Sequence, residues 1–252
     1  MKTLVTANQK GGVGKTATLV HLAFDFAERG LRVVVIDLDT QANASYTLNS
    51  YKCGINASSL LMGEKIDHSL FPTSGMALIE SDPALANMEK MTLGDAGKNF
   101  KLAIQELSST GFDVCLIDTA PSLGITMGAA LFVSDYVLSP IELEAYSILG
   151  IKKMVTTIAN IRNANKNLKF LGMVPSKVDK RNPRHARHLE ELTNAYPTLM
   201  VPPGIVIGLR SSIADALASR VPVWKIKKTT ARVATKEIRA LAAHVINQME
   251  IG

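Results

Sequence analysis

Short apolar runs alternate along this chain with stretches of helical period. Residues 3–7 (TLVTA), 32–39 (RVVVIDLD), 112–118 (FDVCLID), 136–141 (YVLSPI) and 169–178 (KFLGMVPSKV) are predicted as strands, since such short aliphatic and β-branched runs suit a buried sheet. Residues 15–30 set Leu19, Leu22, Ala23 and Phe26 on one helical face and stop at Gly30. Further helices are predicted over 99–109 and 146–163, a polar, basic one over 184–195, and an amphipathic one over 235–249. A short strand is expected near 204–208. Residues 44–100, with scattered Gly, Ser and Asn, show no sustained period.

Strands joined by crossover helices predict an α/β fold: a doubly wound, mainly parallel sheet with helices on both faces. No linker, repeat or low-complexity tract interrupts the chain, so one domain over 1–252 is expected.

Composition supports this picture. With 252 residues, 47% of them hydrophobic, the chain can bury a sizeable core. No apolar run approaches the roughly 20 residues of a membrane span, and strand-like sequence from Lys2 leaves no room for a signal peptide. A cytoplasmic protein is expected. Cys53 and Cys115 lie far apart, and Cys115 sits inside the apolar run VCLID, where a small buried hydrophobe is the simpler reading than a disulfide or metal ligand.

Charge changes the picture more. Residues 1–150 hold 10 Lys/Arg against 16 Asp/Glu, whereas 151–252 hold 18 against 6. The basic excess gathers in short segments: Lys177, Lys180, Arg181, Arg184 and Arg187 in KVDKRNPRHARH, Arg210 in GLRSS, and Lys225, Lys227, Lys228 and Arg232 in VWKIKKTTAR. Such clustering points to a polyanion-binding face. Aromatic residues are scarce there apart from Trp224, which favours duplex phosphate contacts over stacking on single strands. His185 and His188 read as surface histidines of this segment.

The candidate chemistry begins at residues 8–16, NQKGGVGKT, between the first strand and the first helix. Gly11, Gly12 and Gly14, with Val13 between, let backbone N–H groups of the loop, continuing through Ala17, surround phosphate oxygens. Lys15 reaches the outer phosphates, and the Thr16 hydroxyl can ligate Mg²⁺. The loop departs from the usual pattern: Gln9 stands where the first glycine belongs, and Lys10 adds a second lysine. Asp118 ends an apolar strand and suits the metal-holding acid. Asp37 and Asp39, two residues apart at the end of another strand, project to one side of it. One can orient a water while the other supports the metal.

KGGVGKT, DLDTQAN and LIDTAPSLG, in this order, resemble the deviant-Walker P-loop ATPases of the ParA and MinD group, and IELEAYSILGI (141–151) is similar to a ParA segment. The resemblance spans most of the chain but is thin from about 50 to 100, and Thr40 and Ala120 stand where that pattern carries prolines. It implies an ATPase with ATP and Mg²⁺ and slow basal turnover. It also implies that Lys10 crosses a face-to-face homodimer to the partner's nucleotide, that Asp39 positions water, that Asp118 holds the metal, and that Asp37 stands behind it. Arg210 falls in a segment similar to one whose arginine contributes to nonspecific DNA binding.

Among members of that group, a ParA-type DNA-partition ATPase is expected, released from nonspecific duplex DNA when a ParB-like partner stimulates hydrolysis, and therefore nucleoid-associated. Only its own strand precedes the loop, so no helix-turn-helix extension is expected. AAHVINQMEIG lacks the basic cluster of a MinD-like membrane helix, so no membrane partner is expected. MinD-like regulation and ParA-like positioning of a protein cargo are the alternatives.

Overall fold

The computed structural model describes residues 1–143, 156–157 and 159–251. In chain order the elements are β1 (Lys2–Thr6), α1 (Lys15–Glu28), β2 (Val33–Leu38), α2 (Asn43–Thr47), β3 (Lys52–Asn56), α3 (Ala57–Met62), β4 (Met76–Glu80), α4 (Leu93–Ser108), β5 (Val114–Thr119), α5 (Ile125–Val133), β6 (Tyr136–Glu142), β7 (Lys169–Ser176), α6 (Pro183–Ala195), α7 (Ser211–Ala218) and α8 (Thr229–Met249). The seven strands form one sheet in the order β3-β4-β2-β5-β1-β6-β7, and every paired neighbour is parallel.

The unbroken apolar runs of the central strands follow from helices on both faces, which leave β2 and β5 buried at every position. Alternate residues divide between two cores. Val5, Val34, Ile36, Cys115 and Ile117 pack with Leu60, Phe100, Leu107 and Met127 on the side of α3, α4 and α5. Leu4, Val33, Val35, Val114 and Leu116 pack with Leu19, Leu22, Phe26, Ile238 and Leu241 on the side of α1 and α8. Both cysteines are buried and free, as expected.

Four expectations need correction. Residues 44–100 do contain order: β3, β4, α3 and the start of α4. The expected helix 99–109 begins at Leu93, because Thr92 caps it by accepting from Asp95 N. Near 204–208 there is no strand; Val178 and Gly208 form an isolated bridge, with Ile207 N donating to Pro175 O and Leu209 N to Val178 O. Pro202, Pro203 and Gly204 precede it, which limits the ladder to this contact. The terminal helix begins at Thr229, earlier than 235. Most of the expected helix 146–163 lies outside the described residues.

α8 is tied to α1 by charge. Asp25, fully buried, receives Arg239 at 2.6 Å and Arg29 at 2.5 Å, and Arg239 stacks 4.1 Å over Trp224. His21, also on α1, holds the segment before α8 in place. Its Nδ1–H donates to Ala17 O at 2.7 Å, so its Nε2 accepts from Val223 N at 3.2 Å. Burial lowers its pKa to about 4. The unfolded chain therefore takes up a proton near 6.5 that the folded chain refuses until about pH 4, and acidification through that window favours unfolding. The full effect is roughly 3 kcal/mol. The stability difference between wild type and His21→Gln is expected to shrink as pH falls from about 7 to about 4.5 in denaturant titrations; parallel pH profiles would exclude His21 as the titrating group.

Candidate active site

The loop joining β1 to α1 owes its shape to glycines at positive φ, 74° at Gly12 and 91° at Gly14. At Gly14 space also matters, since a Cβ there would lie 2.8 Å from Ser176 Oγ. No side chain caps α1, so its first N–H groups face the loop's concavity, the arrangement that receives anions. Lys15 opens the helix and is buried, its Nζ 3.4 Å from Lys10 O. Burial lowers its pKa, and the neighbouring Asp118 and Asp39 work against that shift. Val13 is buried beneath the loop.

Register assembles the acids. Thr6 pairs with Asp118 across β1 and β5, and Asp118 with Asp37 across β5 and β2. Alternation turns all three towards the α1 face, where Thr16 Oγ1 donates to Asp118 Oδ2 at 2.6 Å and Thr6 Oγ1 to Oδ1 at 3.2 Å. Asp118 is fully buried; burial first and the Asp37 charge second push its pKa up to about 7. Asp37 is engaged by its own chain: Ser45 N and Oγ donate to Oδ2 at 2.8 and 2.7 Å, and Asp39 N to Oδ1 at 3.1 Å. It reaches the site through Asp118, its register partner. Ser45, which fixes this acid, had no distinguishing signal in the sequence.

Asp39 instead borders a cavity of about 480 Å³ formed with Gly11, Gly12, Lys15, Thr16 and Gln41. A second, apolar cavity of about 330 Å³ adjoins it, sharing Gly14, Ala17 and Leu217 and bounded by Ile207, Ile213 and Leu241.

On the opposite side of β1 the groups are cationic. Lys10 Nζ lies 3.0 Å from Glu142 Oε2 at the end of β6, and Lys177 Nζ lies 3.2 Å from Oε1. Lys177 thus leaves the basic cluster in which the sequence places it. Lys180, Arg181, Arg184 and Arg187 remain exposed before and on α6. Arg181 pairs with Asp179, and His185 Nδ1 accepts from Asp179 N at 3.0 Å, closing the turn. Lys227 and Lys228 are exposed ahead of α8, Lys228 paired with Asp215. Arg210 stands apart from these: it makes a bidentate pair with Glu237, with Nη2–Oε1 2.6 Å and Nε–Oε2 3.0 Å, at the rim of the apolar cavity. Its charge faces α8 rather than open solvent.

A family model described as "AAA domain" matches residues 1–170. Protein IncC of Escherichia coli is 65% identical over 260 residues, covering all of this chain and 71% of that protein. Chromosome-partitioning ATPase Soj of Thermus thermophilus is 33% identical over 186 residues, covering 72% of this chain and 71% of Soj. Among solved structures, cobyrinic acid a,c-diamide synthase from Mycobacterium smegmatis, with bound ATP analog and magnesium, superposes with a TM-score of 0.72. It is 28% identical, and the match covers 90% of this chain and 97% of that one.

Proposed function

Because this chain belongs to the ParA/MinD family of partition ATPases, we propose that Mg²⁺ and ATP bring two copies into a sandwich dimer that binds duplex DNA without reading its sequence. Hydrolysis, stimulated by a ParB-like partner, releases the DNA. The observation that carries this reading is the division of labour between two lysines of one loop: Lys15 is buried under the loop, while the Lys10 side chain is 47% exposed at its outer rim. A lysine placed outside its own phosphate cradle suits a nucleotide held by another copy.

The residues fit Mg²⁺. Among the described residues no cluster of three or more His, Cys, Asp or Glu could hold a metal, and Mg²⁺ needs only one or two carboxylates beside phosphate oxygens and water. Thr16 and Asp118 would hold it, with Asp37 behind Asp118. The ion supplies charge neutralisation at the outer phosphates. The backbone at Gly12 and Gly14 orients the phosphate chain, and Lys15 supplies positive charge inside the cradle. Asp39 orients the attacking water, and the apolar cavity beside Ala17 accepts the base.

Two copies double the exposed basic segment around α6, so DNA affinity depends on ATP. The dimer then acts on the nucleoid, within the cytoplasm, as a single-domain ATPase. The apolar face of α8, including Ile238, Leu241, Val245 and Met249, is taken up by the core. No described helix is long and apolar enough to cross a membrane.

Binding to unrelated duplexes over a salt series tests this reading. Joint replacement Arg184→Ala and Arg187→Ala is expected to weaken all duplexes alike and lower the slope of log K against log salt by about 0.9 per lost contact. ATP turnover without partner stays unchanged. Wild-type affinity and slope would remove α6 from the interface, and ATP-dependent binding to anionic liposomes in place of duplexes would overturn the DNA reading.

A further inference from the structure

β6 ends at Glu142 and Lys177 follows β7, where register sets Glu142 beside Ser176. The Glu142 side chain is 18% exposed and carries two ammonium groups on separate oxygens, those of Lys10 and Lys177, which are themselves almost half exposed. Lys177 also overhangs the phosphate loop: a Cβ built on Gly12 would lie 3.9 Å from its Nζ.

Its backbone is unusual as well, with φ at 55° in a residue that is not glycine. The segment around it is fixed on one side by Ile207 N donating to Pro175 O, and on the other by Val178 N donating to Ile207 O and Leu209 N to Val178 O. Such conformations persist where surroundings impose them, and they gather at functional sites. Here the imposed geometry aims a long cation at the loop. That places the Lys177 ammonium over Gly12, in addition to Lys15 inside.

We propose that Lys177 is a third phosphate-directed lysine of the nucleotide site, and that Glu142 holds it until a polyphosphate competes for it. This rests on the reading of the loop as an ATP site. A triphosphate offers several negative charges where Glu142 offers one, so its arrival transfers Lys177 to the phosphate chain.

Calorimetric titration with ATP, ADP and AMP tests the proposal. Lys177→Met is expected to weaken ATP binding about tenfold and AMP binding little, with Lys177→Arg restoring most of the loss. Glu142→Gln, which removes the competing carboxylate, is expected to tighten ATP binding several-fold. Unchanged ATP affinity in Lys177→Met, or no gain in Glu142→Gln, would overturn it. Thermal melting of the nucleotide-free variants checks that they fold; should Lys177→Met fail there, Glu142→Gln decides alone. Lys15→Ala separates the two levels of inference. If it too binds ATP normally, the ATP-site reading falls; if only Lys15→Ala loses binding, Lys177 alone is excluded.

Discussion

Lys15→Ala is expected to lower ATP affinity by about two to three orders of magnitude, on the order of 3–4 kcal/mol. The side chain is buried, and the groups around it are acids: Asp118 and Asp39 both act on it electrostatically. Its removal does more than delete one attraction. It leaves the carboxylates of Asp118 and Asp39 near an anionic ligand without the lysine's charge between them, and a buried charge without its partner is costly. Calorimetry in saturating Mg²⁺ measures the loss. An affinity within a few-fold of wild type would mean that the loop at Gly12 and Gly14 does not hold the phosphates, and the nucleotide reading of this chain would go with it.

The second large effect separates binding from chemistry. Asp39→Ala is expected to bind ATP within a few-fold of wild type but to lose turnover by about 10²–10⁴-fold, the range of a positioned acid or base. Asp39 is the one carboxylate bordering the larger cavity among the described residues. Gln41 N holds its Oδ1 at 2.9 Å, while Oδ2 has no hydrogen-bond donor among the described residues. The other two acids are committed elsewhere, Asp118 to Thr16 and Thr6, and Asp37 to Ser45 and the backbone of Asp39. With hydrolysis blocked and binding intact, ATP-bound dimers should accumulate, which light scattering reads directly. Turnover near the wild-type rate would show that another group orients the water.

These roles were legible in the sequence to different depths. The strands bearing the site were plain because each is a short apolar run ending in a chemically distinctive residue, and the glycines with Lys15 and Thr16 form a contiguous pattern. Ser45 was hidden because its partner is Asp37, met only after the chain turns into α2. Glu142 and Lys177 were hidden for a stronger reason. They come from strands β6 and β7, separated in sequence from the loop that they flank, and only the sheet order places them beside it. Lys177 was further disguised by the basic residues that follow it. Arg210 shows the reverse difficulty: sequence displays a cation, but its satisfaction by Glu237, 27 residues away, is visible only in the packing. Order in 44–100 escaped the pattern because β3, an edge strand reading KCGIN, alternates buried and exposed positions in place of an apolar run, and α3 has only six residues.

The row formed by Thr6, Asp118 and Asp37 sets rules for what length changes this chain can accept. Each residue owes its position to a count along its strand, and each strand sends alternate residues into opposite helical layers. Deleting one residue inside β5 would leave an apolar strand still able to pair, yet it would bring a neighbour of opposite facing into the place of Asp118. The sheet could survive while the chemistry vanished. Substitutions among Val, Ile, Leu and Cys within these strands are therefore far safer than any insertion or deletion, and drift in length belongs in the connections on the far side of the sheet from the phosphate loop.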